Sequence, residues 1–135
     1  TSKLWLNVRE RPSLRCYASS SLMKHKDVML VSSGVEFSKV GQAQDEILAQ
    51  LQACKDGGFT DDELEWARRS VVSTLMTTLD AQSRLEDYWL GQAAAGLTEA
   101  PDELAQRVER TTRAQVQAAA QKLTLDTVYF LKGKE

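Results

Sequence analysis

The sequence predicts an α+β fold: a small antiparallel sheet, built from a hairpin and a C-terminal strand, with several helices covering one of its faces. Three observations carry that expectation. Residues 14–21 place Leu14, Cys16 and Ala18 on one face and Arg15, Tyr17 and Ser19 on the other, and after a polar loop a mostly apolar run, 28–33, reads as the return strand. From Ser38 to about Leu123 the apolar period lengthens to that of helices, punctuated by capping residues. The chain then closes on Thr127-Val128-Tyr129-Phe130-Leu131, a β-branched and aromatic run of strand character.

The elements follow in order. Residues 1–11 read as the end of a helix, with Leu4 and Val8 one turn apart and Trp5 beside them; Pro12 disfavours a helical Arg11 and stops it. Residues 14–21 form the first strand, Leu14, Cys16 and Ala18 sharing one face and Arg15, Tyr17 and Ser19 the other. Lys24-His25-Lys26-Asp27 is a polar loop, and Val28-Met29-Leu30-Val31-Ser32-Ser33 is the return strand, closed by Gly34. Ala43, Ile47, Leu51 and Cys54 make the stripe of the next helix, which ends at Gly57-Gly58 because glycine takes the left-handed cap conformation.

Thr60-Asp61-Asp62-Glu63 is a helix start with a threonine cap, acids in the first turn and a glutamate to complete a capping box. Leu64, Ala67, Val71 and Leu75 continue the apolar face. Asp80 to Ser83 marks a restart, because Asp and Ser cap helices better than they fill them. The helix that follows carries Leu85, Tyr88, Trp89 and Gln92 and fades at Gly96. Pro101 suits a first helical position, with Leu104 and Val108 facing inward. Thr112-Arg113-Ala114-Gln115 opens a last, alanine-rich helix.

The whole chain, 1–135, is expected to be a single domain, since 135 residues bury an ordinary core. Three strands make a thin sheet with a vulnerable edge, so further strands are expected upstream, in a larger half-domain of which this chain is the C-terminal segment. Thr1 in place of Met fits a natural chain that begins earlier.

No apolar run reaches the roughly 18–20 residues a membrane helix needs, and no secretory signal is present, so neither a membrane nor export is expected. The net charge of -2 argues against nucleic acid. Charge is uneven: residues 1–40 hold seven Lys/Arg against three Asp/Glu, residues 41–135 ten against sixteen. A basic start on an acidic body suits an acidic peptide or partner, and a merely solvated imbalance is the plainer alternative. Cys16 and Cys54 lack metal-ligand spacing and read as reduced thiols of a cytoplasmic protein.

A hydrolytic zinc site takes three protein ligands, commonly two histidines and a carboxylate. The chain has one histidine, His25, so no catalytic or metal-ligating residue is assigned. There is no phosphate loop and no nucleophile elbow.

The opening Ser2-Lys3-Leu4-Trp5-Leu6-Asn7-Val8-Arg9-Glu10-Arg11, leading into Leu14-Arg15-Cys16-Tyr17, resembles the zinc-peptidase family that includes pitrilysin, insulin-degrading enzyme and mitochondrial processing peptidase. Thr60-Asp61-Asp62-Glu63-Leu64-Glu65-Trp66-Ala67-Arg68 is similar to a second family segment, and the order of elements extends the likeness along the chain, nearest to small bacterial members, including ones regarded as inactive. The resemblance implies two similar halves, the first holding zinc on His-x-x-Glu-His. The second, to which this chain corresponds, lends an Arg and a Tyr to an extended peptide. Arg9 matches the Arg. The position seven residues on, where the family has Tyr, is Cys16, and Tyr17 follows it. One step along a strand reverses the face, so Tyr17 serves only if the strand re-aims it.

The resemblance therefore implies a non-catalytic, substrate-binding or accessory portion of a zinc-metallopeptidase-like protein, with Arg9 and Tyr17 as the substrate contacts. It implies no cofactor of its own, zinc only in the missing half, and as partners a peptide and either the N-terminal half of the same protein or a homologous subunit. The alternative is a purely structural pairing subunit or interaction domain.

Overall fold

The computed structural model describes residues 17–23 and 26–133, and the expected N-terminal helix, Arg9, Cys16 and His25 lie outside them. An antiparallel hairpin, β1 (Tyr17–Met23) and β2 (Val28–Gly34), is followed by a 3-10 turn (Phe37–Lys39). Five helices come next: α1 (Val40–Lys55), α2 (Asp61–Thr78), α3 (Gln82–Ala94), α4 (Pro101–Glu109) and α5 (Arg113–Gln121). This is the α+β class expected, with the hairpin and every helix from α1 to α5 in the predicted order.

The described chain divides into two compact units. One takes in the residues up to Phe59 together with those from Arg113 onward, and the other is Thr60–Thr112. In the first, β1 and β2 pair from Met23↔Val28 to Tyr17↔Gly34. Asp27 turns the loop at a φ of 51°, a left-handed conformation that Asp tolerates better than most residues. Ala18 is buried against Ala43 of α1, with Val35 and Ile47 packed around them. The stripe expected of α1 is thus the one that meets the sheet, and small side chains let helix and strand approach closely.

The C-terminus of α1 is held by α5. The Lys55 carbonyl accepts from the Gln117 amide at 3.0 Å and the Gln121 amide at 3.2 Å, while the Lys55 ammonium donates to the Leu123 carbonyl at 2.6 Å. Arg113 Nη1 donates to the carbonyls of Gly57 and Phe59, and its guanidinium lies 4.7 Å from the centre of the Phe59 ring. These contacts satisfy carbonyls that a helix end and the turn after it would leave unpaired.

Gly57 ends α1 as expected, at a φ of 74°. Its N–H donates to Cys54 and that of Gly58 to Ala53, the paired bonds of a Schellman cap. Gly96, at a φ of 67°, closes α3 in the same way, through Gly96 to Ala93 and Leu97 to Gln92.

In the second unit Thr60 and Glu63 form the predicted capping box, at 3.1 and 2.7 Å. At α4 the Glu103 carboxylate accepts from the Ala100 N–H at 2.9 Å, and Ala100 has no side-chain oxygen to return the bond. One expected face is rotated. Leu64 is buried and Val72 and Leu75 are half-buried, but Ala67 and Val71 turn outward, and Arg68 occupies the inner line. Its Nε and Nη2 both donate to the Thr111 carbonyl, Nε at 2.9 Å, and Arg68 is half-buried where Ala67 and Val71 are exposed.

The C-terminal run does not extend the sheet. The described sheet has two strands, and residues 123–133 hold no strand pairing. Tyr129 and Leu131 are 81% and 79% exposed, while Phe130 reaches the Phe37 ring at 6.0 Å and Lys132 lies 4.3 Å above the same ring. Strand preference expresses fit to a half-buried pleated surface, and the described residues offer this segment no such surface.

Candidate functional site

The hairpin register decides where the expected site residue lies. Directly opposed residues of an antiparallel pair share a face, and successive pairs alternate. Ala18 and Ser33 therefore point toward α1, and Tyr17 and Gly34 point away from it. Tyr17 is 63% exposed, at the end of a face that continues through Ser19 and Ser32, Ser21 and Leu30, and Met23 and Val28. A phenol, then hydroxyls, then apolar side chains follow one another along the exposed surface.

Gly34 is where that face is shaped. A Cβ at this position would lie 3.0 Å from Cδ1 of Tyr17 and closer still to Cε1. The ring thus rests across the neighbouring strand in the space a side chain would fill. The register was available in the sequence: with Met23 and Val28 closing a four-residue loop, counting back pairs Tyr17 with Gly34. Read only as a strand end, Gly34 shows no relation to Tyr17 until the loop length fixes the register.

Arg9 lies outside the described residues, so Tyr17 is the expected substrate contact that the structure places.

The second unit has a cavity of about 350 Å³ lined by Glu65, Arg68, Arg69, Val72 and Glu109. Its cations are engaged: Arg69 Nε donates to Glu65 at 2.9 Å, Arg68 Nη1 to Glu65 at 3.4 Å, and Arg68 also holds Thr111. The bond from Arg69, then that from Arg68, holds the Glu65 carboxyl below its usual pKa. This is a helix-surface ion network at i,i+3 and i,i+4 spacing. Nearby, Gln92 is 7% exposed; its amide donates to the Glu99 carbonyl at 2.6 Å and to the Tyr88 hydroxyl at 3.2 Å. Tyr88 donates to the same carbonyl at 2.9 Å, and burial, followed by the charge of Glu99, raises its pKa. These bonds fix the loop between α3 and α4.

The residues of this chain do not fit a hydrolytic zinc site. Its sequence holds one histidine, and among the described residues no three His, Cys, Asp or Glu side chains come together as ligands. Cys54 is a half-buried thiol. Among the described residues no helix is long and apolar enough to cross a membrane.

The comparisons set nearly the whole chain beside part of a protein named as a metalloprotease. One curated relative is "Probable inactive metalloprotease YmfF" of Bacillus subtilis, 34% identical over 134 residues, which are 99% of this chain and 32% of the relative. A solved structure, of a conserved protein from Enterococcus faecalis, superposes with a TM-score of 0.78 at 26% identity and covers 89% of this chain and 28% of that one. This chain thus spans about a third of the curated relative's length. No family model matches it. The likeness agrees with the metallopeptidase resemblance carried by the opening residues, and the relative is named as inactive.

Proposed function

We propose that this chain is a non-catalytic portion of a pitrilysin-type, zinc-metallopeptidase-like protein, and that it binds and positions an extended peptide. The observation that carries the reading is the likeness of nearly the whole chain to a relative named as a probable inactive metalloprotease. The opening segment through Arg9, the exposed phenol of Tyr17 and the single histidine support it. In this reading the rest of the protein, or a homologous subunit, is the partner that covers the exposed apolar surface, and the protein is cytoplasmic. Any zinc belongs to that other half, and peptide hydrolysis occurs only where such a site is supplied.

A guanidinium and a phenol are suited to hold a peptide carbonyl, the first as a charged fork and the second as a neutral donor. Arg9→Ala in the full protein is expected to weaken binding of a labelled extended peptide. An unchanged affinity would sink the substrate-binding role. The second reading, a structural pairing subunit, is favoured by Cys16 standing seven residues after Arg9 and by the word "inactive" in the relative's name. Zinc content separates the parents: a full protein that binds no zinc favours pairing alone, and one that binds zinc stoichiometrically favours a peptidase context.

A further inference from the structure

Gly34 is glycine for a reason its backbone does not supply. The described glycines with positive φ are Gly57 and Gly96, so Gly34 sits in a conformation any residue adopts. What it provides is room. The Tyr17 ring, its direct cross-strand partner, occupies the place of the missing side chain, with Cδ1 3.0 Å from where a Cβ would be and Cε1 nearer. Aromatic rings laid over a cross-strand glycine cover its bare backbone and lose torsional freedom in doing so. Among the described residues Tyr17 is 63% exposed, so few other contacts hold its phenol still.

We propose that Gly34 is a positioning residue: its absent side chain is the seat that holds the Tyr17 ring across the hairpin, so that the phenol hydroxyl meets a bound peptide at one fixed place. This rests on the substrate-binding reading above. A tyrosine swinging freely between rotamers would lose part of its hydrogen bond's worth to ordering on each binding event, and a seated ring has already made that loss. The seat also gives Tyr17 a defined aim although it stands one residue beyond the position the resemblance assigns to Tyr.

The test uses the full protein with selectively labelled Tyr and Gly, and a fluorescein-labelled decapeptide of alternating alanine and serine as the probe. Wild type should show nuclear Overhauser contacts between the Tyr17 ring and the Gly34 α-protons. Gly34→Ala should abolish them while the Ser19–Ser32 and Ser21–Leu30 cross-strand contacts persist. The same substitution should weaken the probe's Kd by about three- to tenfold, the worth of one neutral hydrogen bond. In a Tyr17→Phe background it should have no further effect.

Absence of the Tyr17–Gly34 contact in wild type would overturn the seat. An equal loss of binding in the Tyr17→Phe background would overturn the positioning role, because Gly34 would then act without the hydroxyl. Should Gly34→Ala unfold the hairpin, Tyr17→Ala should rescue its cross-strand contacts by vacating the space, and failure to rescue would again overturn the seat. Tyr17→Phe binding the probe like wild type would overturn the substrate-binding reading instead, and the positioning role with it.

Discussion

Arg113 shows how much one side chain does in the first unit. Its Nη1 reaches the carbonyls of Gly57 and Phe59 while the guanidinium lies against the Phe59 ring, and a lysine keeps the charge but not the planar geometry. Arg113→Lys should therefore lower stability by about 1–3 kcal/mol, as loss of charge-assisted bonds does, read as a fall in Tm. A Tm equal to wild type would mean that the guanidinium adds nothing beyond its charge. Gln92 is the corresponding residue of the second unit. Gln92→Ala removes a buried donor from the Glu99 carbonyl, which keeps Tyr88, so a loss of about 1–2 kcal/mol is expected in denaturant unfolding. Tyr88 carries a pH signature. Its folded-state pKa is raised, so the stability it contributes is present below the ordinary tyrosine pKa and fades as pH rises from there through the raised value. Ultraviolet difference titration of wild type against Tyr88→Phe should show a phenol ionising later than free tyrosine. Neither residue stood out in the sequence as an anchor: Arg113 works through carbonyls more than fifty residues away, and Gln92 through a carbonyl of the loop that follows its own helix, whose path the sequence does not show.

Helix ends were far more legible, because capping is local chemistry. Thr60 with Glu63, Gly57 and Gly96 each stand where the residue types alone placed a boundary. Thr60→Ala removes the side-chain acceptor for the Glu63 N–H and should cost about 1 kcal/mol, with Thr60→Ser restoring most of it. Gly57→Ala forces a Cβ into a left-handed conformation and sets it 3.2 Å from the Gln117 amide oxygen. It should lose about 1–2 kcal/mol, seen as a lower denaturation midpoint with an unchanged slope. Elements whose form depends on distant partners were less legible. Residues 127–131 have strand chemistry and no pairing among the described residues, and the inner line of α2 passes through Arg68 rather than Ala67 and Val71, because the Thr111 carbonyl draws the guanidinium inward. Alternation did place the Tyr17 face correctly, since that depends only on the pleat.

At the scale of the molecule, the first unit buries little at the sheet. Ala18 and Ala43 are small, while Tyr17, Leu22, Met23, Val28 and Leu30 of a two-stranded hairpin stay exposed, together with Phe37, Val128, Tyr129 and Leu131. A lone hairpin is marginal in water, and this much apolar surface marks a contact region. That fits a chain spanning about a third of the curated relative's length, and a peptide-binding face needs only part of the surface. The central claim is that this portion contributes binding rather than catalysis. It is tested most directly by fluorescence anisotropy of the labelled decapeptide titrated with the full protein, wild type against the Arg9→Ala, Tyr17→Phe double variant. The account predicts a Kd weakened at least about tenfold, from the loss of one charged and one neutral hydrogen bond. Matching titration curves for the two proteins would contradict it.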